Sequence, residues 1–328
     1  MSWLHNLAFF GLCLFTALGS APLLAEEKGE VKETPLDKAQ ALMAKALELN
    51  GQGKEKAAEA LATARESVAA FEKIYGDGHP DLAGAIESLS SILCDQGDKA
   101  GVVATLERAL AVREKCQGAE HPDVAGTLDQ LAGHLKEQAE YAGAEKHYQR
   151  ALAIREKLHG KAHPDVASSL ENLAGLARAR AQHSEAKKSY EAAMAVREKV
   201  FGHDHPDVAR TLMDLASLAG ERALYPEARK DYEAALQILE KVHGKDHPEV
   251  AACLEALAGV LKTQAAFEEA QKHLERALAI RQKVQGAESP EVAEAMKSLA
   301  ELLRTRGNET GAKKLEEQAE AINKKAGK

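Results

Sequence analysis

Residues 121–161 read HPDVAGTLDQLAGHLKEQAEYAGAEKHYQRALAIREKLHGK, and the His-Pro pair that opens this stretch returns at a constant spacing along the chain. Comparable starts, each followed by a proline and an acidic residue, lie 42 residues apart at His79, His121, His163, His205, His247 and Ser289. A fixed period of this length is typical of a solenoid, in which each unit buries its apolar face only against its neighbours.

Each unit is predicted to contain two helices. In the first, Pro122 suits a helical turn that tolerates a missing N–H, and Asp123 places negative charge at the positive end of the helix dipole. Apolar residues at intervals of three and four form one stripe up to Leu135, and a second stripe begins at Tyr141. We expect Gly160 to end the second helix as a left-handed cap. The equivalent glycines are Gly118, Gly202, Gly244 and Gly286.

Alanine recurs where the two helices of a unit should meet, so that their backbones approach closely while leucine and tyrosine fill the remaining space. The two columns are Ala132, Ala174, Ala216, Ala258 and Ala300 in the first helices and Ala151, Ala193, Ala235, Ala277 and Ala319 in the second. The predicted fold is therefore all-α, a right-handed superhelical solenoid of antiparallel helix pairs.

Four segments carry a family resemblance: ALAIREK at 151–157, Gly160, HPDVA at 163–167 and LENLA at 170–174. With these segments the chain resembles the tetratricopeptide repeats of the kinesin light chain type, from about Gly76 to the C-terminus. The resemblance implies that Asn172 can hydrogen-bond the backbone of a bound peptide. The equivalent positions depart from the family and carry Ser88, Gln130, Asp214, Ala256 and Ser298.

The repeat spacing defines the predicted domain organisation. Five repeats span 79–120, 121–162, 163–204, 205–246 and 247–288. An atypical helix pair is expected at 36–78, and 289–328 is predicted to be a capping repeat, because Glu316 and Glu320 replace apolar residues of the earlier units.

Residues 1–25 have the pattern of a secretory signal peptide, with an almost wholly apolar run from Leu7 to Leu18 and small residues before Glu26. We expect cleavage after Ala25, export to the periplasm or the extracellular space, and no membrane span in the processed chain. The alternative is an uncleaved anchor, since the segment is about long enough to cross a bilayer of ~30 Å. Residues 26–35 are predicted to be a flexible leader.

Composition and motifs argue against catalytic and nucleic-acid functions. The formal net charge is -8 and the chain has no long run of Lys or Arg, so no nucleic-acid partner is expected. The sequence has no phosphate-binding glycine loop, nucleophile elbow or His-Glu-x-x-His motif, and we predict no enzymatic activity and no cofactor. Cys94, Cys116 and Cys253 are widely separated and are predicted to be packing residues.

The repeated histidines are predicted to cap the helices that follow them or to pack in the turns. Histidines of successive units should lie on the order of 10–20 Å apart, whereas the ligands of one zinc ion lie ~2 Å from it. These equivalent histidines therefore cannot share an ion, and no metal site is predicted.

Three columns of the first helices share one face and form a candidate partner-binding groove. The acidic row contains Asp129, Glu171 and Glu255, together with Glu87. The small row contains Gly133, Gly175 and Gly259, with serine in two other units, and the basic row contains Lys136, Arg178, Lys262 and Arg304.

Two alternatives remain for these rows. Acidic residues early in a helix and basic residues late in it complement the helix dipole without any ligand. Glycine costs about 1 kcal/mol relative to alanine inside a helix, so the small row indicates either a partner segment lying over the bare backbone or relief of crowding between first helices.

The predicted function is an exported adaptor that binds a protein or peptide on its concave face through this groove and is itself monomeric. The alternative is a structural subunit that self-associates or joins a larger complex without a dedicated groove.

Overall fold

The computed structural model of the chain describes residues 33–326, and within that range its regular elements are fourteen α-helices and a 3-10 turn at Lys54–Lys56, with no β-strand. The first pair is α1 (Pro35–Gly51) and α2 (Ala57–Tyr75). The repeats that follow are α3 (Pro80–Asp95) with α4 (Lys99–Gln117), α5 (Pro122–Glu137) with α6 (Tyr141–His159), α7 (Pro164–Ala179) with α8 (His183–Phe201), α9 (Pro206–Glu221) with α10 (Tyr225–His243), α11 (Pro248–Thr263) with α12 (Phe267–Gln285), and α13 (Pro290–Thr305) with α14 (Glu309–Ala326).

The helix starts confirm the predicted role of the repeated histidines. In the unit that begins at His121, the ring Nδ1 accepts a hydrogen bond of 3.2 Å from the backbone N–H of Asp123, and Pro122 is the first helical residue. The same cap is made by His79, His163, His205 and His247. The hydroxyl of Ser289 caps α13 differently, by accepting from the N–H of Val292, three residues further on. A regular cap therefore sets the register of each first helix.

The first helices end in a turn that the sequence does not signal. At the end of α7, Ala181 has a left-handed backbone with φ of 55°, and the next N–H, that of Gln182, bonds Ala177. This is the Schellman arrangement, in which the left-handed position normally carries glycine. Alanine occupies it at Ala139, Ala181, Ala223 and Ala265, and glycine at Gly97 and Gly307.

The second helices end at glycine as predicted, although not in the predicted conformation. Gly160 has φ 75° and ψ 169°, and the other glycines of this column are similar. A left-handed cap would have ψ near +45°, so these residues instead occupy a region of backbone space that is essentially restricted to glycine.

Packing confirms the all-α solenoid of helix pairs. Each helix packs closely against its partner and against the first or second helix of the adjacent unit. Both alanine columns lie in the core, and Ala132 and Ala151, for example, are 0% exposed. Among the cysteines, Cys253 is buried as predicted, but Cys94 is exposed, so the prediction of a packing role was wrong for Cys94.

The N-terminal boundary falls close to its predicted position. Helix α1 begins at Pro35 and is capped by Thr34, whose side chain and that of Asp37 each bond the other's backbone N–H. The signal peptide predicted at 1–25 lies outside the described residues, as does most of the predicted leader at 26–35. Between residues 33 and 326 no helix combines the length and the apolar character needed to cross a membrane.

Candidate partner-binding face

The first helices of the units form one side of the molecule. Helix α1 contacts α3, α5 contacts α7, and α11 contacts both α9 and α13, while α3 with α5 and α7 with α9 approach less closely. Within residues 33–326 no comparable contact joins any successive second helices. Units that approach each other more closely on one side curve toward that side. The first helices therefore line the inner face of the curve, where the groove was predicted.

The acidic row of the predicted groove lies in ion pairs between the two helices of each unit. The carboxylate of Glu171 accepts hydrogen bonds from both terminal guanidinium nitrogens of Arg197, whose side chain is only 3% exposed. The hydroxyl of Thr211, from the next unit, also donates to Glu171 at 2.9 Å. Arg197 in turn donates to the Thr211 hydroxyl at 2.5 Å. The carboxylate is thus satisfied internally, and the cluster joins one unit to the next.

The same position in other units carries the same pairing. Arg113 binds Glu87 through two nitrogens at 2.7 and 2.9 Å, Arg155 binds Asp129 at 2.5 Å, and Arg281 binds Glu255 through two contacts of 2.6 Å. These arginines were missed by sequence reasoning, although their spacing of 42 residues was visible. The next unit again contributes a hydroxyl: that of Thr127 donates to Glu87, and that of Ser169 accepts from Arg155.

One unit replaces this ion pair with apolar side chains. In the unit 205–246, Met213 occupies the position of the acidic residue and Leu239 that of the arginine. In the following unit, Cys253 occupies the position of the hydroxyl residue. Leu239 and Cys253 are buried in one core cluster, and Met213 packs against it. Buried ion pairs are often replaceable by well-packed apolar groups at little cost, which fits a structural role for the acidic row.

The basic row is mostly engaged between units. Arg178 binds Glu221 and donates to the Ser217 hydroxyl at 2.8 Å, and Lys262 binds Glu301 at 2.8 Å. Arg304 binds Glu316 at 2.7 Å. Lys136 has no such partner among residues 33–326, and burial lowers its pKa.

The small row has no packing explanation at Gly175 and Gly259. At Gly259 an added Cβ would meet nothing within 4 Å, and at Gly175 it would meet only the flexible Lys136 Nζ at 3.8 Å. Relief of crowding between first helices therefore does not account for Gly175 and Gly259. Gly133, in contrast, is buried.

Asn172 and the equivalent Asp214 lie on this face beside the acidic row. Asn172 is half-buried and lies beside Asp129. Burial raises the pKa of Asp129, although the positive charge of Arg155 partly offsets this effect. Burial also raises the pKa of Asp214 to about 6, with a further contribution from Glu171. The structure thus brings Asn172, Gly175 and Lys136 into one region of the inner face, and places Gly259 and Lys262 two repeats away.

These features define the class of the molecule as an α-helical solenoid scaffold. The tetratricopeptide repeat model matches residues 102–157, 123–199, 165–223, 208–283 and 263–325. The chain belongs to the tetratricopeptide repeat family.

Solved structures share the fold of this chain. BtubC (BKLC) from P. vanneervenii has a TM-score of 0.58 and 21% identity, over 70% of this chain and 90% of that chain. A putative kinesin light chain from Podosopora anserina, with nearly identical TPR-like repeats, has a TM-score of 0.54 and 26% identity over 63% and 98%. Aspartyl phosphate phosphatase F from Bacillus subtilis reaches 0.59 at 12% identity over 88% and 71%, which shows likeness of fold alone. The sequence matches no curated protein.

Proposed function

We propose that this chain is an exported, non-enzymatic scaffold that binds a protein or peptide segment across the inner face of its first helices. Open glycine backbone at Gly175 and Gly259 carries this proposal, because a helix accepts the cost of glycine there without any packing gain. A partner segment laid over this face would bury that backbone. The apolar run and small residues of 1–25 support export.

The charges of this face indicate which of its residues would bind the partner. Because Arg178, Lys262 and Arg304 already bind carboxylates of the chain, Lys136 is the basic residue of the row best placed to receive a carboxylate of the partner. Asn172 can contribute an amide to the partner's backbone, as the family resemblance implies. The acidic row acts indirectly, by fixing the first helix against the second.

A steric block tests the proposal without disturbing the fold. In the variant Gly175→Leu with Gly259→Leu, the Cβ at Gly259 meets no other atom within 4 Å and that at Gly175 meets only the flexible Lys136 amine, and leucine is the better helix former. The protein should therefore remain folded while the groove is obstructed. Crosslinked capture from the native source, compared between the variant and the unaltered chain, should show loss of the specific partners.

Two further variants complete this test. Ala192→Leu with Ala195→Leu adds the same bulk to exposed positions of α8, on a second helix, and should leave capture unchanged. Lys136→Glu should weaken capture at least tenfold if the lysine binds a carboxylate, since one good charge-assisted contact contributes roughly 1.5–3 kcal/mol. Capture that survives the leucine block would overturn the groove.

One observation favours the alternative of a self-associating structural subunit. Leu158, Val200, Val242 and Val284 occupy the same position near the end of successive second helices, and each is 39–48% exposed. Such a column can bury apolar area against another copy. Sedimentation velocity over a wide concentration range separates the two functions, because an adaptor sediments as a monomer throughout whereas an assembling subunit shifts to larger species.

A further inference from the structure

The turns between repeats differ in one residue that precedes each capping histidine by four positions. That position carries Tyr75, Gln117, His159, Phe201 and His243, and Gln285 holds the equivalent place before the capping Ser289. Where it is aromatic, its ring stacks on the capping histidine, with ring centroids 3.7–4.2 Å apart. Two of these turns therefore hold a pair of imidazoles in contact.

A carboxylate lies beside both pairs. In the first turn Oδ2 of Asp165 is 3.7 Å from Nε2 of His159 and 3.5 Å from Nδ1 of His163. In the second, Oε2 of Glu249 is 3.1 Å from Nε2 of His243 and 3.9 Å from Nδ1 of His247. In each group, three possible ligand atoms lie within 4.8 Å of one another.

These separations are close to those of a tetrahedral metal site. Ligands about 2.0–2.2 Å from a zinc ion lie roughly 3.3–3.6 Å from each other. Because the stacked rings are nearly parallel and each lone pair lies in its ring plane, one imidazole must rotate out of the stack for the three donors to converge on an ion. Two imidazoles and one carboxylate form a ligand set known from zinc sites that keep their fourth position for water or another donor.

Ring stacking alone does not explain the second imidazole. Phe201 stacks on His205 at the same distance, 4.2 Å, as His159 does on His163, and Asp207 follows in the place of Asp165. Phenylalanine therefore fulfils the packing role in a turn that keeps the capping histidine and the acid, although it has His203 and Asp204 where the His159 turn has Lys161 and Ala162. The Phe201 turn is a natural control that lacks one donor.

We propose that the His159, His163, Asp165 turn and the His243, His247, Glu249 turn each bind one first-row transition-metal dication, with Zn²⁺ as the reference ion. To bind the ion, Nδ1 of His163 or His247 must give up the hydrogen bond that it accepts from the helix N–H. The loss of this bond limits the affinity for the ion. His159 and His243 are the last residues of α6 and α10, where the free carbonyls of a helix end favour a cation. Each ion joins the end of one repeat to the start of the next.

Zinc titration of the full chain, free of any histidine tag and stripped with a chelator, tests this directly. Calorimetry near neutral pH should give two ions per chain. His159→Phe and His243→Phe copy the Phe201 turn and should each remove one ion, and the double variant should retain only the weak background of the other surface histidines. Zinc should raise the thermal unfolding midpoint of the unaltered chain and leave that of the double variant unchanged.

A gain of binding completes the test. Phe201→His restores the missing donor beside His205 and Asp207, and should raise the number of bound ions from two to three. Circular dichroism in chelator shows that the variants are folded. Failure of the unaltered chain to bind Zn²⁺, or equal binding by the double variant, would overturn the proposal.

Discussion

Asp214 occupies the first-helix position that carries Asn172 in the preceding repeat, and its surroundings disfavour a charge. Burial raises the pKa of Asp214 from 3.8 to about 6, and Glu171 adds to the effect. Between these two pKa values the folded chain holds a proton that the unfolded chain has released. The free energy of unfolding therefore falls as pH rises from about 4 to about 6, and stays lower above that range.

Asp214→Asn should remove this penalty, because an amide needs no proton to remain neutral. We expect the free energy of unfolding to increase by about 1–3 kcal/mol near neutral pH, from a shift of roughly two pKa units, and to change little at about pH 4. Urea unfolding at both pH values measures the difference. An equal effect of the substitution at both values would contradict the assignment to ionisation.

The residues of the groove were only partly predictable. The columns of Gly175 and Lys136 follow from the period of the sequence, and the structure adds that only the Lys136 amine lies near the place of a Cβ at Gly175. The pairing of Glu171 with Arg197 was not predicted, since it joins residues 26 positions apart on different helices. A search for arginines at the repeat period would have found Arg197, but only the packing of the two helices shows that it pairs with Glu171.

At the scale of the helical elements, the turn after four of the first helices stores backbone strain. A non-glycine residue in the left-handed region costs roughly 1–2 kcal/mol, and four internal repeats accept this cost with alanine. Helix starts were predictable because proline and histidine mark them. This turn was not, because alanine gives no sign of positive φ, and only Gly97 and Gly307 at the equivalent positions hinted at it.

Ala181→Gly should therefore stabilise the protein by about 0.5–1 kcal/mol, because the relief of strain exceeds the greater freedom of glycine in the unfolded chain. Ala192→Gly, at an exposed position inside α8, is the matched control and should destabilise it by about 1 kcal/mol. Chemical denaturation of the two variants should give shifts of opposite sign. Destabilisation by both would show that the turn is unstrained.

At the scale of the whole molecule, units contact their neighbours through equivalent surfaces, so one unit can be removed in register. Deletion of 163–204 joins Ala162 to His205 and brings Thr211 to the place of Ser169 beside Arg155. Stability of a solenoid is approximately a sum over units and interfaces. We expect a folded protein with lower stability and helix content reduced in proportion to its length.

Circular dichroism and thermal unfolding measure this outcome. Deletion of 163–182 alone, which removes α7 and leaves α6 followed directly by α8, is the control that breaks the alternation of helices. It should give a poorly folded or aggregated chain. If the in-register deletion is no more stable than this control, the prediction is wrong, because stability would then depend on more than the units and the interfaces between neighbouring units.

The ion pairs that cross between units join nearby units, as Arg108 does with Glu72 and Lys262 with Glu301. Tension applied to the two ends of the chain must then pass through the interfaces in series, each carrying the full load. A small opening at every interface adds up to a large change in end-to-end distance. The molecule is in this respect an elastic spring, whose extension is spread along its length while its yield point is set by the weakest joint.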